Sequence, residues 1–286
     1  MPHDLLRALA IFAVGLAAGT INTVVGSGTL ITFPTLLAFG YPPVLANVSN
    51  NVGLVPGVAS GVYGYRSELG GQRRRLIRLG SASVCGGLVG AILLLTLPQS
   101  AFKSIVPALI GLAVVMVIVQ PRLARWVAGR QRARTAAATP GGAGADRDGA
   151  SGSGDGGAGA VAAPPAAEEA IGGPVLWVLV FLAGIYGGYF GAAQGVLLIG
   201  MLGIALNDSL QRVNAAKNVL AGLVNGLAAV VFILATHVDW GVAGLIAAGS
   251  IIGGQVGARI GKRLPPWGLR VLIVCVGTVA LIKLLA

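Results

Sequence analysis

The chain has 286 residues, of which 55% are hydrophobic and only 10% are charged, and its formal net charge is +11. A soluble globular protein carries about 25% charged residues, so this composition excludes an ordinary water-soluble domain. Nearly all Lys and Arg residues stand in short stretches between apolar runs. Such placement orients membrane segments, so the positive charge does not indicate nucleic acid as a partner.

Several apolar runs approach or exceed the about 20 residues that a helix needs to cross a bilayer. They are residues 5–25, 175–190, 219–235, 241–260 and 269–285. The strict apolar–polar alternation of a transmembrane β-barrel does not occur in the sequence. The sequence therefore predicts an all-α polytopic membrane protein that contacts the lipid bilayer and needs no cofactor.

A segment of Gly, Ala, Ser and Pro with scattered charges occupies residues 135–173. It contains too little apolar surface to build a packed core, which predicts a disordered linker. The linker separates a first transmembrane repeat, residues 1–134, from a second, residues 174–286.

Both apolar regions carry the same motifs, and internal symmetry of this kind is typical of transporters. The matching pairs are NVSNNV (47–52) with NAAKNV (214–219), GGLVGA (86–91) with GGQVGA (253–258) at the same offset, and Ala-Gly-x6-Gly at 18–26 and 183–191.

Each repeat begins with a long apolar helix that ends at a glycine-rich break, VVGSGT (24–29) or FGAAQG (190–195). A short apolar piece follows, 30–39 or 196–206, whose helical rise of about 15–17 Å is half of the hydrocarbon core, so it either spans or re-enters. Three further helices complete each repeat, at 44–64, 77–97 and 101–120, and at 212–235, 240–260 and 267–285. The prediction is two glycine-broken helical hairpins, each with three transmembrane helices, or about eight to ten membrane segments in all.

The basic residues predict that the two repeats are inverted. In the first repeat a basic cluster follows the predicted helix 44–64, which carries the first motif (Arg66, Arg73, Arg74, Arg75, Arg78). In the second repeat the basic cluster follows not the motif helix, 212–235, but the next helix, 240–260 (Arg259, Lys262, Arg263, Arg270). The loop at 236–241, directly after the second motif helix, contains neither Lys nor Arg. Because basic loops face the cytoplasm, the linker is expected inside and both termini outside.

The repeated motif supplies six candidate substrate-binding residues: Asn47, Asn50, Asn51, Asn214, Lys217 and Asn218. Positions i, i+3 and i+4 share one face of a helix, so each copy presents a polar triad. Amides inside a membrane also serve as hydrogen bonds between helices, and Lys217 could instead snorkel to the interface beside Arg212. An ionisable residue within a span nevertheless indicates a functional site.

The glycine breaks add four further candidates: Asn22, Ser27, Thr29 and Gln194. Helix N-termini inside a membrane offer unpaired N–H groups to an anion, although small residues also simply kink helices. The carboxylates all fall in loops, in the linker or near span ends, which leaves a positive interior and indicates an anionic substrate. Ser27 has no mid-span His as a base and no metal-binding spacing occurs, so an enzyme is not expected.

The layout AG-x6-GSGT-L-x3-P-x4-FG-x5-A-N (18–47), repeated as AG-x6-GAAQG and NAAKN (183–218), resembles the TauE/SafE family of sulfite exporters. The resemblance implies a secondary transporter of sulfite, thiosulfate or an organosulfonate in the bacterial cytoplasmic (inner) membrane. Alternating access is the expected mechanism. An anion channel, an intramembrane enzyme, a structural membrane protein and a homodimeric assembly stay open, as do the anion, the direction and the coupling ion.

Overall fold

The computed structural model describes residues 2–137, 173–206, 208–260 and 266–285. Within these ranges the chain forms ten α-helices and no β-strand. The helices are α1 (Pro2–Val24), α2 (Thr29–Ala38), α3 (Pro43–Gly64), α4 (Arg73–Thr96), α5 (Gln99–Ala137), α6 (Pro174–Tyr189), α7 (Gln194–Ala205), α8 (Leu210–Ala235), α9 (Trp240–Ile260) and α10 (Pro266–Leu285). A short 3₁₀ helix, Arg66–Leu69, joins α3 to α4.

By length and composition, five of the described helices can cross a membrane: α1, α4, α5, α8 and α9. They also carry large apolar side chains outward, since Ile92, Val115 and Leu234 are 46%, 55% and 82% exposed. A bilayer covers such a surface without the penalty that water imposes. The prediction of an all-α polytopic membrane protein is confirmed.

The first repeat differs at one boundary from its prediction. Helix α5 continues to Ala137 although the sequence indicated an end near residue 120, and it contains Pro107 and Pro121. The first residues assigned to the linker are therefore helical. The rest of the predicted linker, residues 138–172, lies outside the described residues, so its role as a separator stays a prediction.

The short helices fold back along the helices that precede them. Helix α2 runs back along α1: Gly28 packs against Ala18, and Arg7 near the start of α1 donates a hydrogen bond to the Phe39 carbonyl (2.6 Å). Helix α7 folds back in the same way, because Leu202 in its last turn belongs to the same buried cluster as Leu176 near the start of α6. Each hairpin reverses at a glycine in the left-handed region, Gly26 (φ 87°) or Gly191 (φ 78°), which a side chain would strain.

The two repeats use the same packing with partners exchanged. Helix α1 packs on α9 as α6 packs on α4, and α3 packs on α9 as α8 packs on α4. The closest approaches also correspond: Gly86 of α4 lies against the Phe181 carbonyl of α6, and Gly253 of α9 lies against the Leu16 carbonyl of α1. These small residues let the backbones touch.

Helices α3 and α8, which carry the repeated motif, pack against each other. Residues later in α3 contact residues earlier in α8. Asn51 lies near Asn225, and Val58, further along α3, contacts Gly222, which is earlier in α8. The two helices therefore run in opposite directions.

The two ends of this helix pair are also distinct. At one end the Asp208 carboxylate pairs with Arg75 and with Arg212 Nε (2.9 Å), which links the starts of α4 and α8. At the opposite end Ser49, near the start of α3, accepts a hydrogen bond from the Asp239 N–H (2.9 Å), just after α8 has ended. The arginine-rich end and the loop without Lys or Arg therefore lie on opposite sides of the bundle.

Candidate functional site

The two glycine breaks meet in the interior of the protein. The Gly195 N–H donates to the Gly26 carbonyl (3.1 Å), and the bare Cα atoms of both residues leave no room for a side chain. Helices α2 and α7 start at or within three residues of this contact. Ala193, which precedes α7, has a φ of 61°, an uncommon value for a residue other than glycine. Two helix N-termini, each with a partial positive charge, therefore come together at one buried place.

Lys217 is fully buried (0% exposed) and caps the end of α1. Its ammonium donates to the carbonyl oxygens of Asn22 (3.0 Å) and Thr23 (3.2 Å). The side-chain amides of Asn214 (3.2 Å) and Asn218 (3.4 Å) donate to the same Thr23 oxygen. The last carbonyls of a helix lack partners within it and carry partial negative charge, which explains why a cation and two amides gather there. The alternative in which Lys217 snorkels to the interface is wrong.

The first triad hydrogen-bonds to the end of α6 in a similar way, but it contains no cation. The Asn47 amide donates to the Tyr189 carbonyl (3.1 Å), the last carbonyl of that helix. The Asn50 amide donates to the hydroxyl of Thr29 (3.3 Å), and Thr29 is the first residue of α2. Asn47 and the second triad therefore bond to the broken hairpin of the other repeat, whereas Asn50 bonds to the hairpin of its own repeat.

The structure brings the predicted site residues into one buried region. The Asn51 amide lies 3.5 Å from the side-chain oxygen of Asn225, which joins the set from α8. Asn22 takes part through its main-chain carbonyl. Hydrogen bonding between helices accounts for the amide donors, while a role of these residues as substrate ligands stays a prediction.

Several buried polar atoms near the breaks have no hydrogen-bond partner within the described part of the chain. Among them are Ser27 Oγ, Gln194 Nε2, Asn50 Oδ1, Asn51 Oδ1, Asn214 Oδ1, Tyr186 Oη and Tyr189 Oη. The two tyrosines were missed at the sequence level because the stretch IYGGYF was interpreted as plain apolar helix. Two hydroxyl groups inside a predicted span were the available signal, because a buried tyrosine hydroxyl normally has a partner.

The carboxylates that border α8 point away from this region. Asp208 pairs with Arg75 and Arg212, and Asp239 accepts the Val242 N–H (3.0 Å). Among the described residues there is no group of three His, Cys, Asp or Glu side chains placed to hold a metal ion. Among the described residues of this region, Lys217 supplies the basic side chain.

Comparisons with known proteins agree with this architecture. The family model described as "Sulfite exporter TauE/SafE" matches residues 11–284. The chain is 25% identical over 263 residues to a "Probable membrane transporter protein" of Haemophilus influenzae, a match that covers 90% of this chain and 85% of the relative. It is 23% identical over 280 residues to the "Probable membrane transporter protein YfcA" of Escherichia coli K12, covering 96% and 88%.

No solved structure gives a significant match to the chain. The family match nevertheless includes both glycine breaks, both polar triads and the helices that carry them. The protein therefore belongs to the sulfite exporter TauE/SafE family of membrane transporters.

Proposed function

We propose that this membrane transporter moves small sulfur-containing anions, such as sulfite, thiosulfate or an organosulfonate, by alternating access. The observation that carries the proposal is the meeting of two helix N-termini beside the buried Lys217. The description of the family, which names sulfite, supports the substrate class. An oxyanion is the ligand for which helix N-termini and a cation are suited.

The predicted residues have different roles in the proposed site. Ser27, two residues before α2, and Gln194, the first residue of α7, offer buried polar atoms without partners among the described residues, where an oxyanion can accept hydrogen bonds. Lys217 supplies positive charge from the far side of Gly195, against which its side chain packs. Thr29 is the first residue of α2 and accepts a hydrogen bond from Asn50.

The remaining amides position this site. Asn47, Asn214 and Asn218 fix the ends of α6 and α1, so they hold the breaks at the required separation. Asn22 anchors Lys217 through its carbonyl, and Asn51 connects α3 to α8. Loss of any of them is expected to act through the geometry of the breaks.

The proposed mechanism treats the repeats as inverted in the membrane. The opposite directions of α3 and α8 and the exchanged packing partners support this arrangement, because a twofold axis in the membrane plane would produce both. Rocking of one repeat against the other would then expose the central site to each side in turn.

Cysteine labelling tests the orientation. In a Cys85→Ser/Cys275→Ser background, His237→Cys should react with an impermeant maleimide on intact cells, because residue 237 is exposed in the loop without Lys or Arg. Gly70→Cys, at a position with open space around it, should react only after the membrane is permeabilised. Equal labelling of both residues in intact cells would contradict the inverted arrangement.

Replacing Gln194 tests the anion site. Gln194→Leu removes the buried amide, and we expect it to weaken binding of the preferred anion by about ten- to a hundredfold, the loss of one hydrogen bond to a charged group. Binding is measured as thermal stabilisation of purified protein by sulfite, thiosulfate and taurine, and transport as counterflow in proteoliposomes, which an anion channel does not show.

The matched control is Gln255→Leu in α9. The Gln255 amide donates to the Ser60 carbonyl (2.9 Å), away from the breaks, so this variant loses a comparable hydrogen bond but should bind the anion normally. If both variants bound every anion with wild-type affinity, Gln194 would not belong to the site.

A further inference from the structure

Oxygen atoms surround the second glycine break. A Cβ atom at Gly191 would lie 3.3 Å from the Gly187 carbonyl oxygen, 3.9 Å from Thr29 Oγ1 and 4.0 Å from Asn225 Oδ1. Three elements, the last turn of α6, the first residue of α2 and the middle of α8, thus direct oxygen to one point. At the first break the same position beside Gly26 is filled by the backbone of α7.

Two further buried oxygens belong to side chains that are hydrogen-bonded to this group. Asn50 and Asn51 are 1% and 9% exposed, and their side-chain oxygens have no partner within the described residues. Their amide nitrogens bond to Thr29 Oγ1 (3.3 Å) and Asn225 Oδ1 (3.5 Å), two of the atoms that surround Gly191. Buried oxygens without donors are costly to desolvate, so a ligand that donates hydrogen bonds or carries positive charge would be stabilised beside them.

The end of α1 in the first repeat binds a comparable positive charge, the Lys217 ammonium. Gly187 stands four residues before Gly191, as Asn22 stands four residues before Gly26. The Asn22 carbonyl binds the Lys217 ammonium, and the residue that corresponds to Lys217 in the repeated motif is Asn50. The end of α1 thus holds a positive charge that is covalently attached, whereas at the end of α6 the corresponding carbonyl lies near Thr29 Oγ1, to which the neutral Asn50 donates.

We propose that a small monovalent cation, for which sodium is the probe, binds at the end of α6 among Gly187, Thr29, Asn50, Asn51 and Asn225. Carbonyl, hydroxyl and amide oxygens are suitable ligands for a hard cation, and a carboxylate is not required. Broken helices in transporters use their C-terminal carbonyls for coupling cations and their N-termini for anions. The positions of the carboxylates in loops, in the linker and near span ends, from which we expected an anionic substrate, are therefore compatible with this cation site.

Coupling follows from the position of this cation site. The end of α6 and the start of α7 flank one break, so the cation would lie beside the anion site and offset its charge. This coupling rests on the proposed function. The binding of the cation does not, and it can be measured without any sulfur-containing anion.

Sodium binding is tested by the melting temperature of the purified protein in detergent, with chloride as the common anion and N-methylglucamine as the cation too large to enter. We expect sodium to raise the melting temperature by about 3–6 °C at ten times its dissociation constant. Thr29→Val and Asn225→Leu should each remove most of this increase. Thr35→Val is the control on α2, since its hydroxyl bonds to the Ile31 carbonyl (2.8 Å) and does not face Gly191.

The exchange of the paired residues is the most specific test. Asn50→Lys should supply the charge covalently, so the variant should fold and lose its response to sodium. Lys217→Asn should show a larger response than the wild type, because both helix ends would then need a cation. Equal melting temperatures of the wild type in sodium and in N-methylglucamine, or a full sodium response in Asn50→Lys, would overturn the proposal. A sodium response without stabilisation by any sulfur anion would uphold this site and contradict the proposed substrate class.

Discussion

Replacing Lys217 with glutamine is expected to weaken anion binding about 30- to 150-fold and to stop measurable transport, while the protein still inserts and folds. An ammonium about 5–8 Å from an anion, at an effective dielectric constant of about 20, contributes about 2–3 kcal/mol of attraction. Glutamine removes this attraction but keeps an amide that can donate to Asn22 or Thr23. The melting temperature should therefore fall by no more than about 3–6 °C.

Two further variants separate charge from packing. Lys217→Arg keeps the charge but replaces a compact ammonium with a planar fork, so it should retain part of the binding. Arg212→Gln removes a charge from the same helix at a position paired with Asp208, and it should leave anion affinity close to that of the wild type. If Lys217→Gln bound thiosulfate and sulfite like the wild type, Lys217 would be a helix cap without a role in anion binding.

The repeat, the breaks and the polar triads could all be predicted from the sequence, because each depends on spacing along the chain. Asn214, Lys217 and Asn218 share a helical face wherever that helix lies, and the structure shows them converging on Thr23. The partners could not be predicted, because they belong to the other repeat. Spacing shows that Lys217 and Asn50 correspond, but not that the former binds the end of a helix.

The hairpins illustrate the same limit. A segment of ten residues is too short to cross the bilayer as a helix, but its length does not decide between a broken span and a return. The contact between Arg7 and Phe39, which are distant in sequence, shows that the segment folds back along α1. The site likewise contains the two tyrosines of α6, Tyr186 and Tyr189, which lie outside the repeated motif and became candidates only through their neighbours.

The second large expected effect is a loss of stability when a glycine at a helix–helix contact is replaced by alanine. Gly86→Ala should lower stability by about 3 kcal/mol, or the melting temperature by about 6–12 °C, because the new methyl group would overlap the Phe181 carbonyl oxygen. Neither backbone can move away easily, since Gly90 and Gly188 hold the same pair of helices together along their length. Gly253→Ala should cause a similar loss, because it meets the Leu16 carbonyl at the corresponding contact of the other repeat.

Gly226→Ala in α8 is the matched control for this effect. A Cβ at Gly226 would meet no atom within 4 Å, so alanine should stabilise the helix by about 0.5–1 kcal/mol through its better helix propensity. The three variants are compared by melting temperature in detergent and by the yield of monodisperse protein. The melting temperatures of Gly86→Ala and Gly253→Ala should both fall, because these glycines keep two helix backbones in contact. The melting temperature of Gly226→Ala should rise, because its methyl group enters open space. If Gly86→Ala and Gly226→Ala had the same melting temperature, α4 and α6 would not be in backbone contact. If only one of the first two lost stability, the two repeats would not share one packing scheme.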